Sequence, residues 1–206
     1  MNPWLQIELR DYEAHMSHKN VNQLQTLSRI VGLAVKLFSP HSTLVLGAAA
    51  GNGFEHFEKN SEIYAVDINK AYLDACSKRF GKKLRNLHLL NIDVDSEPIG
   101  IEDNKIDLAV CHLFLEYAEL LTVVKEMKRV LKPRAIVNIV IQKNNGSEFV
   151  SETGITGLNI LSGIAKEVDP VEMESLFLQN GFTQMSKIEE FLPGGKSFMM
   201  YNFRKN

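Results

Sequence analysis

Apolar residues first recur at helical spacing between residues 20 and 40. The residues on this stripe are Val21, Leu24, Leu27, Val31, Val35 and Phe38. Asn20 with Gln23 three positions later forms a capping-box pattern, which predicts that the helix begins there, and Pro40 predicts its end. The preceding stretch PWLQIELRDYEAHMS has aromatic and apolar residues without clear periodicity. It predicts a loop and a short helix lying over another part of the molecule.

From residue 42 the pattern changes to short, continuously apolar runs separated by helical segments. The predicted strands are residues 42–46, 63–66, 87–90, 106–111 and 135–141. The predicted helices begin at Phe54, at a cap on Asn69 and at residue 118; the second ends at Phe80 before Gly81, and the third ends at Pro133. Buried strands that alternate with helices indicate a parallel sheet with helices on both faces.

The C-terminal part has a different pattern. Asp169 is a predicted N-cap, followed by Pro170 at the first helical position and Glu172 three residues after the cap. After Asn180 and Gly181, residues 182–191, the turn LPGG and residues 197–203 read as a hairpin. The sheet is therefore expected to finish antiparallel. The 206 residues contain no repeat or linker, which predicts one domain.

Composition narrows the class of protein. Apolar residues make up 45% and charged residues 23%, and the net charge of −2 gives no basic field for nucleic acid. No apolar run approaches the roughly 20 residues of a membrane helix, and the N-terminus lacks signal-peptide features. Cys76 and Cys111 fit neither a metal site nor a disulfide framework. We expect a cytoplasmic protein with no membrane, nucleic-acid or metal partner.

The candidate chemistry lies where the predicted parallel strands end, since ligands of open α/β sheets bind there. The four positions are the loop 47–53, Asp67, Asp93 and the run 111–117. Asp67 follows Gly47 by 20 residues, a distance that suits a carboxylate accepting hydrogen bonds from ribose hydroxyls. The pattern predicts an adenosine-type ligand, either a nicotinamide dinucleotide or S-adenosylmethionine.

Three features weigh against the dinucleotide. The GxxxGxG spacing of the loop also occurs in short-chain dehydrogenases, but those begin with this strand, whereas over 40 residues precede it here. Their Tyr and Lys lie four apart on a helix, whereas Tyr201 and Lys205 fall on a predicted strand. Glu55 and Glu58 lie in the predicted first turn after the loop, where they oppose a pyrophosphate but not a sulfonium.

Six segments in this order resemble class I S-adenosylmethionine-dependent methyltransferases over residues 40–205. They are VLGAAAGNG, YAVDIN, NIDVDSEP, IDLAVCHLFLEY, RVLKPRAIVNIVI and the tail GF…LPGGKSFMMYNF. The resemblance implies an α/β, Rossmann-like, doubly wound and mostly parallel seven-stranded sheet with an antiparallel C-terminal hairpin strand. It implies S-adenosylmethionine as cofactor and S-adenosylhomocysteine as product. The sequence contains no NPPY-like tetrapeptide, carboxylate cluster or basic stripe, so a small-molecule acceptor is expected.

The resemblance also assigns cofactor-binding residues. Asp67 matches the ribose acid and Asp93 the acid near the adenine amino group. The full predicted set is Gly47, Ala48, Ala49, Gly51, Gly53, Asp67, Ile68, Asp93, Val94, Cys111, His112, Tyr12 and His15. Gly51 and Gly53 are expected to take the unusual backbone angles.

Two positions of the loop depart from the family pattern. The acid at the end of the first strand is Gly47 here, and the first loop glycine is Ala49. In addition, the LKPGG turn is LKPRA. The missing acid often helps to hold the amino group of the cofactor. Water, backbone or the N-terminal residues Tyr12, Glu13 and His15 are the predicted replacements.

On the acceptor side, His112 is the predicted general base, with Glu116 and Tyr117 orienting the substrate. His112 could instead only line the cofactor pocket, and the other two could form the first turn of the next helix. We predict a single methyltransferase domain over residues 1–206. It divides into a helical lid or cap (1–41) and a core (42–206) with a substrate-cap insertion (142–168). The alternatives are a non-catalytic S-adenosylmethionine- or nucleoside-binding module and an NAD(P)-dependent oxidoreductase.

Overall fold

A computed structural model describes residues 2–206, which fold around one seven-stranded sheet. The strands are β1 (Ser42–Leu46), β2 (Glu62–Asp67), β3 (Asn86–Asn91), β4 (Ile106–His112), β5 (Leu131–Lys143), β6 (Phe182–Phe191) and β7 (Ser197–Lys205). The helices are α1 (Leu9–Met16), α2 (Gln23–Phe38), α3 (Lys70–Phe80), α4 (Leu120–Val130) and α5 (Pro170–Gln179). Short 3₁₀ turns occupy Pro3–Gln6, Phe54–His56, Asn159–Gly163 and Pro193–Gly195.

The strand order is β3-β2-β1-β4-β5-β7-β6. The first five strands are parallel to one another, and β7 is antiparallel to both of its neighbours, β5 and β6. The predicted fold class is therefore confirmed. The hairpin folds back inside the sheet, so that β7 pairs with β5 and β6 becomes the edge strand.

Helices cover both faces of the sheet, as the alternation of elements predicts. On one face, Val31 of α2 and Leu73 of α3 belong to one buried cluster with Leu108 and Val110 of β4. The opposite face carries the larger cluster, which includes Met127 of α4 and Phe177 of α5. Each such fully buried side chain contributes about 1.5–3 kcal/mol of hydrophobic stabilisation.

Most helix boundaries follow the predicted caps. The side chain of Asn69 accepts a hydrogen bond from the Ala71 amide, and that of Asp169 accepts one from Val171. The predicted start of α2 is wrong by two residues: the helix begins at Gln23, and its N-cap is Asn22 with a left-handed φ of 52°. Val21, between Asn20 and Asn22, is buried, which keeps Asn20 outside the helix.

The predicted helix after the glycine-rich loop is also wrong. Phe54–His56 is a single 3₁₀ turn, and the chain then runs directly toward β2. Phe54 and Phe57 are both buried and meet edge to face with ring centroids 5.7 Å apart, so this turn is fixed by packing. Without a full helix here, Glu55 and Glu58 do not lie in the first turn of a helix that could oppose a pyrophosphate.

The LKPRA segment forms part of a strand where a turn was predicted. β5 already begins at Leu131, which pairs with Ile106 of β4. The register shifts between Ile106 and Leu108, and this irregularity accommodates Pro133, which cannot donate a ladder hydrogen bond. Among residues 2–206, no helix has both the length and the apolar character needed to cross a bilayer.

Candidate active site

A pocket of about 180 Å³ lies at the carboxyl ends of the parallel strands. Its floor includes Gly47 and Ala49 after β1, Asp67 at the end of β2 and His112 at the end of β4. The N-terminal residues and the segment after β5 cover it from above. This is the place where the topology reverses direction between β1 and β4, as expected for an open α/β sheet.

Asp67 fastens the glycine-rich loop to β2. Its Oδ2 accepts a hydrogen bond from the Ala49 amide at 2.8 Å, and its Oδ1 accepts one from the Asn69 amide at 2.8 Å. The side chain is nearly buried and lines the pocket. Burial raises the pKa of this carboxyl, and the two backbone hydrogen bonds oppose that effect. Each carboxylate oxygen keeps a further lone pair for a ligand hydroxyl.

The backbone between Gly47 and Gly53 departs repeatedly from ordinary angles. Gly51 and Gly53 have φ of 86° and 84°, as predicted, but Gly47 (66°) and Ala49 (45°) are left-handed as well. An alanine in this region is strained, and its amide is held by Asp67. The sequence assigned the unusual angles to Gly51 and Gly53, and it missed those of Gly47 and Ala49.

The missing acid at Gly47 has a structural counterpart in Phe114. A Cβ placed on Gly47 would lie 3.0 Å from Cδ2 of the Phe114 ring. That ring lies against the backbone at the end of β1 and lines the pocket. An acidic side chain at residue 47 would meet both the ring and an unfavourable φ.

Several residues of the predicted cofactor set lie outside the pocket lining. A Cβ on Gly53 would collide with Val31 of α2 at 2.8 Å, and one on Gly51 would meet the Phe80 ring at 2.9 Å. These two glycines allow close packing of the loop. Ala48 and Cys111 are buried in the hydrophobic core.

Asp93 lies beside the adjoining part of the pocket, which Ile68 and Val94 also line. Its carboxylate oxygens accept hydrogen bonds from the Asp95 amide and the Ser96 hydroxyl, both at 3.2 Å. These contacts fix the acid in a turn. Ile68 and Val94 supply an apolar surface of the kind that a planar base packs against.

The N-terminal residues form an aromatic roof over the pocket. Trp4 packs edge to face on Tyr117 with ring centroids 4.9 Å apart and on Tyr12 at 6.0 Å. His15 of α1 joins the roof to the segment after β5 through a 2.9 Å hydrogen bond to the Thr153 hydroxyl. Burial lowers the pKa of His15 to about 4. Glu13, in contrast, pairs with Arg79 and does not line the pocket.

His112 enters the pocket from the end of β4. Its Nε2 lies 2.7 Å from Oδ1 of Asn138. Burial lowers its pKa to about 4, and the hydrogen bond to Asn138 opposes that shift. The next residue, Leu113, has a left-handed φ of 50°, which turns the chain along the pocket wall. His112 is therefore a neutral imidazole near pH 7.

Glu116 is a fully buried carboxyl at the wall of the same pocket. Oε1 accepts a hydrogen bond from the Gln142 amide at 2.8 Å, while Oε2 has no partner among residues 2–206. Burial raises the pKa of Glu116 to about 7. Tyr117, next in the chain, contacts Trp4 and packs edge to face on Phe149 at 6.1 Å.

The charge of the pocket is one-sided. Four carboxyl groups line it, those of Asp67, Asp93, Asp95 and Glu116, and no lysine or arginine of the described chain does. The nearby cation Lys196 lies behind the wall, where Nζ donates a hydrogen bond to the Phe149 carbonyl at 2.6 Å. Such a pocket favours cations and disfavours anions.

The tyrosine–lysine spacing considered for a dehydrogenase lies far from this chemistry. Tyr201 is buried in the core, where its ring stacks on Phe203 with centroids 5.9 Å apart. Lys205 donates to the Leu131 carbonyl and to Asn104. Neither residue lines the pocket.

Some pocket residues were missed by the sequence analysis. Tyr72 lines the site without belonging to any motif, and Trp4, Gln142 and Phe149 line it from the segments 1–41 and 142–168, where the sequence predicted a cap but marked none of these residues. Asn138 was missed although the sequence marks it, since it is the one polar residue in the apolar run AIVNIVI. An amide in a buried strand needs a partner, and that requirement points toward a functional neighbour.

Comparisons with known proteins agree with this geometry. Residues 44–139 match the family model described as a methyltransferase domain. No curated protein matches the sequence significantly.

Many solved structures share the fold. A protein described as a sarcosine dimethylglycine methyltransferase from Galdieria sulphuraria superposes with a TM-score of 0.69 at 15% identity, over 89% of this chain and 86% of that one. The N-methyltransferase NodS of Bradyrhizobium japonicum gives 0.62 at 15%, over 88% and 94%. The methyltransferase CalH, solved with S-adenosylhomocysteine, gives 0.66 at 16%, over 91% and 60%. At these identities the likeness concerns the fold.

Proposed function

We propose that this chain is a class I S-adenosylmethionine-dependent methyltransferase and that it methylates a small organic molecule that carries no anionic group. The observation that carries the proposal is a pocket lined by four carboxyl groups without a lysine or arginine from residues 2–206. S-adenosylmethionine is the cofactor and S-adenosylhomocysteine the product.

The residues of the pocket fit this cofactor. Asp67 offers carboxylate oxygens to the ribose, and Ile68, Asp93 and Val94 offer an apolar wall with one acid for the adenine. The backbone at Gly47 and Ala49 admits a close approach. The bound cofactor supplies a methyl group on an activated sulfonium, and carboxylates nearby favour that positive charge.

The same electrostatics define the acceptor. The acceptor must enter between the aromatic roof and the segment after β5. The residues that line this part of the pocket are His112, Glu116, Tyr117 and Phe149. An acceptor carboxylate or phosphate would lie in a pocket lined by four carboxyl groups without a compensating lysine or arginine, which is costly. Sarcosine and dimethylglycine carry a carboxylate, so we propose a different acceptor from that of the Galdieria sulphuraria neighbour.

On this proposal, the protein accelerates methyl transfer mainly by positioning the cofactor and the acceptor. Orienting two reactants contributes on the order of 7–11 kcal/mol to a displacement. His112 accepts a proton from the acceptor, and Glu116 and Tyr117 orient it. A general base adds roughly 10²–10⁴-fold in rate.

Calorimetric titration tests the cofactor part. We expect S-adenosylhomocysteine to bind and NADH not to bind. Asp67→Ala should weaken S-adenosylhomocysteine binding by about 10–100-fold, the effect of losing hydrogen bonds to a charged group. Asp74→Ala is the matched control, since this acid lies on α3 in an exposed pair with Lys70. Equal affinity of the Asp67 variant and wild type would contradict the assignment.

A panel of acceptors tests the rest. The enzyme is incubated with S-adenosylmethionine and paired compounds that differ only in an added carboxylate, such as aliphatic amines and the matching amino acids. Mass spectrometry follows the gain of a methyl group. We expect methylation of the neutral or cationic member of a pair, and preferential methylation of the acidic member would refute the acceptor class.

We further propose a cytoplasmic location. Both cysteines are free and buried, as a reducing compartment allows. The assignment is checked by imaging a tagged full-length chain, and secretion of the protein would contradict it.

A further inference from the structure

A row of polar side chains crosses one face of the sheet and ends in the pocket. From the inside outward it consists of His112 on β4, Asn138 on β5, Asn202 on β7 and Ser186 on β6. We call these four residues the polar row. The three hydrogen bonds that join them measure 2.7, 2.8 and 2.9 Å.

The hydrogen bonds of the polar row run in a single direction. Asn202 Nδ2 donates to the Ser186 hydroxyl, and Asn138 Nδ2 donates to Oδ1 of Asn202. The oxygen of Asn138 therefore faces His112 and can only accept. The proton of the neutral imidazole then belongs on Nε2, and Nδ1 carries a lone pair.

Nothing in the described chain uses that lone pair. His112 lines the pocket, and its Nδ1 has no hydrogen-bond partner among residues 2–206. This atom is not fully buried, so it remains accessible from the pocket. Leu27 and Ile30 of α2 cover the adjoining sheet face beside Val140 and are apolar. The titratable groups on the other walls of the pocket are Tyr12, His15, Asp67, Tyr72, Asp93, Asp95, Glu116 and Tyr117.

Stability alone does not account for the polar row. Asn138 is 4% exposed and its neighbours Val137 and Ile139 are fully buried. Replacing both partners of a buried hydrogen bond by apolar groups of the same shape can leave stability nearly unchanged. Two amide side chains and one hydroxyl lie in register on three neighbouring strands. This arrangement has a role if it fixes which ring nitrogen of His112 carries the proton.

We propose that Asn138 and Asn202 are positioning residues that keep the proton of His112 on Nε2, so that the unprotonated Nδ1 faces the acceptor. A base in this position requires an acceptor whose nucleophilic atom carries a proton, as an N–H or O–H group. This inference rests on the proposed function. The acceptor heteroatom bonds to the methyl carbon while the carbon–sulfur bond breaks, with its electron pair remaining on sulfur. The acceptor proton moves to Nδ1. The positive charge thus passes from sulfonium to imidazolium, whose Nε2–H is held by Asn138.

Long-range ¹H–¹⁵N NMR of the histidine rings tests the assignment without any acceptor. The protein has six histidines, and the signal that disappears in His112→Asn identifies His112. We expect the Nε2–H form in the wild type, both free and with S-adenosylhomocysteine. Asn138→Leu should give a mixture of forms, and Asn202→Leu a smaller shift in the same direction.

A charge-changing variant provides the second readout. Asn138→Asp keeps an oxygen facing Nε2 and adds a negative charge, so the tautomer should persist while the pKa of His112 rises by about 1–3 units. Asn86→Asp on the edge strand β3 adds the same charge far from the pocket and should leave that pKa unchanged.

Two results would overturn the proposal. One is an Nδ1–H tautomer in the wild type, and the other is an unchanged tautomer in Asn138→Leu. Both are independent of methyl transfer. If the NMR results are as expected but S-adenosylhomocysteine fails to bind, the proposed function fails while the positioning of His112 stands.

Discussion

At the scale of single residues, Gly47 is where this chain differs from the family pattern in a way the structure explains. The space beside it is filled by the Phe114 ring, and its φ of 66° disfavours any side chain. The absent acid is therefore part of a local rearrangement that involves the residues after β4. Phe114 makes the floor of the pocket more apolar at this point.

Restoring the acid should therefore harm the fold. We expect Gly47→Asp to lower the free energy of unfolding by about 1–3 kcal/mol, through backbone strain and displacement of Phe114. Urea denaturation measures this change. Gly100→Asp is the control, since a Cβ there meets nothing within 4 Å. Unchanged stability of Gly47→Asp would show that Phe114 yields freely.

Glu116 makes stability depend on pH. Its pKa rises from 4.5 to about 7 on folding, so the folded protein retains a proton that the unfolded chain has lost. The stabilising contribution of this group is complete below pH 4.5 and is lost as pH rises through 7. The loss amounts to at most about 3 kcal/mol.

We expect Glu116→Gln to remove this dependence. The Tm of the variant relative to wild type should be higher at pH 8 than at pH 5, as measured by calorimetry. Glu119→Gln, an exposed acid of the same loop paired with Lys166, should leave the difference constant. A constant difference for Glu116→Gln too would mean that this carboxyl ionises freely in the folded state.

At the scale of elements, predictions succeeded where short-range chemistry decides. The caps at Asn69 and Asp169 lie where the sequence puts them, because each side chain bonds an amide two residues on. The prediction of a helix after the loop was wrong because Phe54 and Phe57 are buried in the core and the chain turns at once toward β2. The predicted start of α2 was wrong because Val21 is buried in the core.

The N-terminal element offers its own reporter. Trp4 is the single tryptophan of the chain and lines the pocket beside Tyr117. We expect S-adenosylhomocysteine to change its fluorescence in a saturable way, with the dissociation constant found by calorimetry. Trp4→Phe provides the blank. A ligand that binds by calorimetry without altering the emission would indicate that this roof does not lie over the cofactor.

At the scale of the whole molecule, the pocket depends on segments distant in sequence. His15 of α1 reaches Thr153, and Gln23 of α2 donates to Gln142 of β5 at 2.5 Å. Closing the pocket therefore couples the N-terminus to the segment after β5. A ligand that binds there should stabilise the fold as a unit.

We expect S-adenosylhomocysteine at 100 times its dissociation constant to add about 2.7 kcal/mol to stability. For a chain of this size that raises Tm by about 5–10 °C. Differential scanning calorimetry measures the shift, with NADH at equal concentration as control. A comparable shift with NADH would argue against the selectivity proposed for this pocket.

The sequence by itself determined the alternation of strands and helices, the antiparallel hairpin and the positions of Asp67, Asp93 and His112 at strand ends. These follow from hydrophobic period and turn chemistry, which act over a few residues. Only the tertiary structure decided that Phe114 fills the space at Gly47, that Gly51 and Gly53 serve packing, and that Oε2 of Glu116 has no hydrogen-bond partner among residues 2–206. The polar row likewise joins four strands, and β7 lies between β5 and β6. Such contacts depend on which strands become neighbours, and no local pattern encodes that.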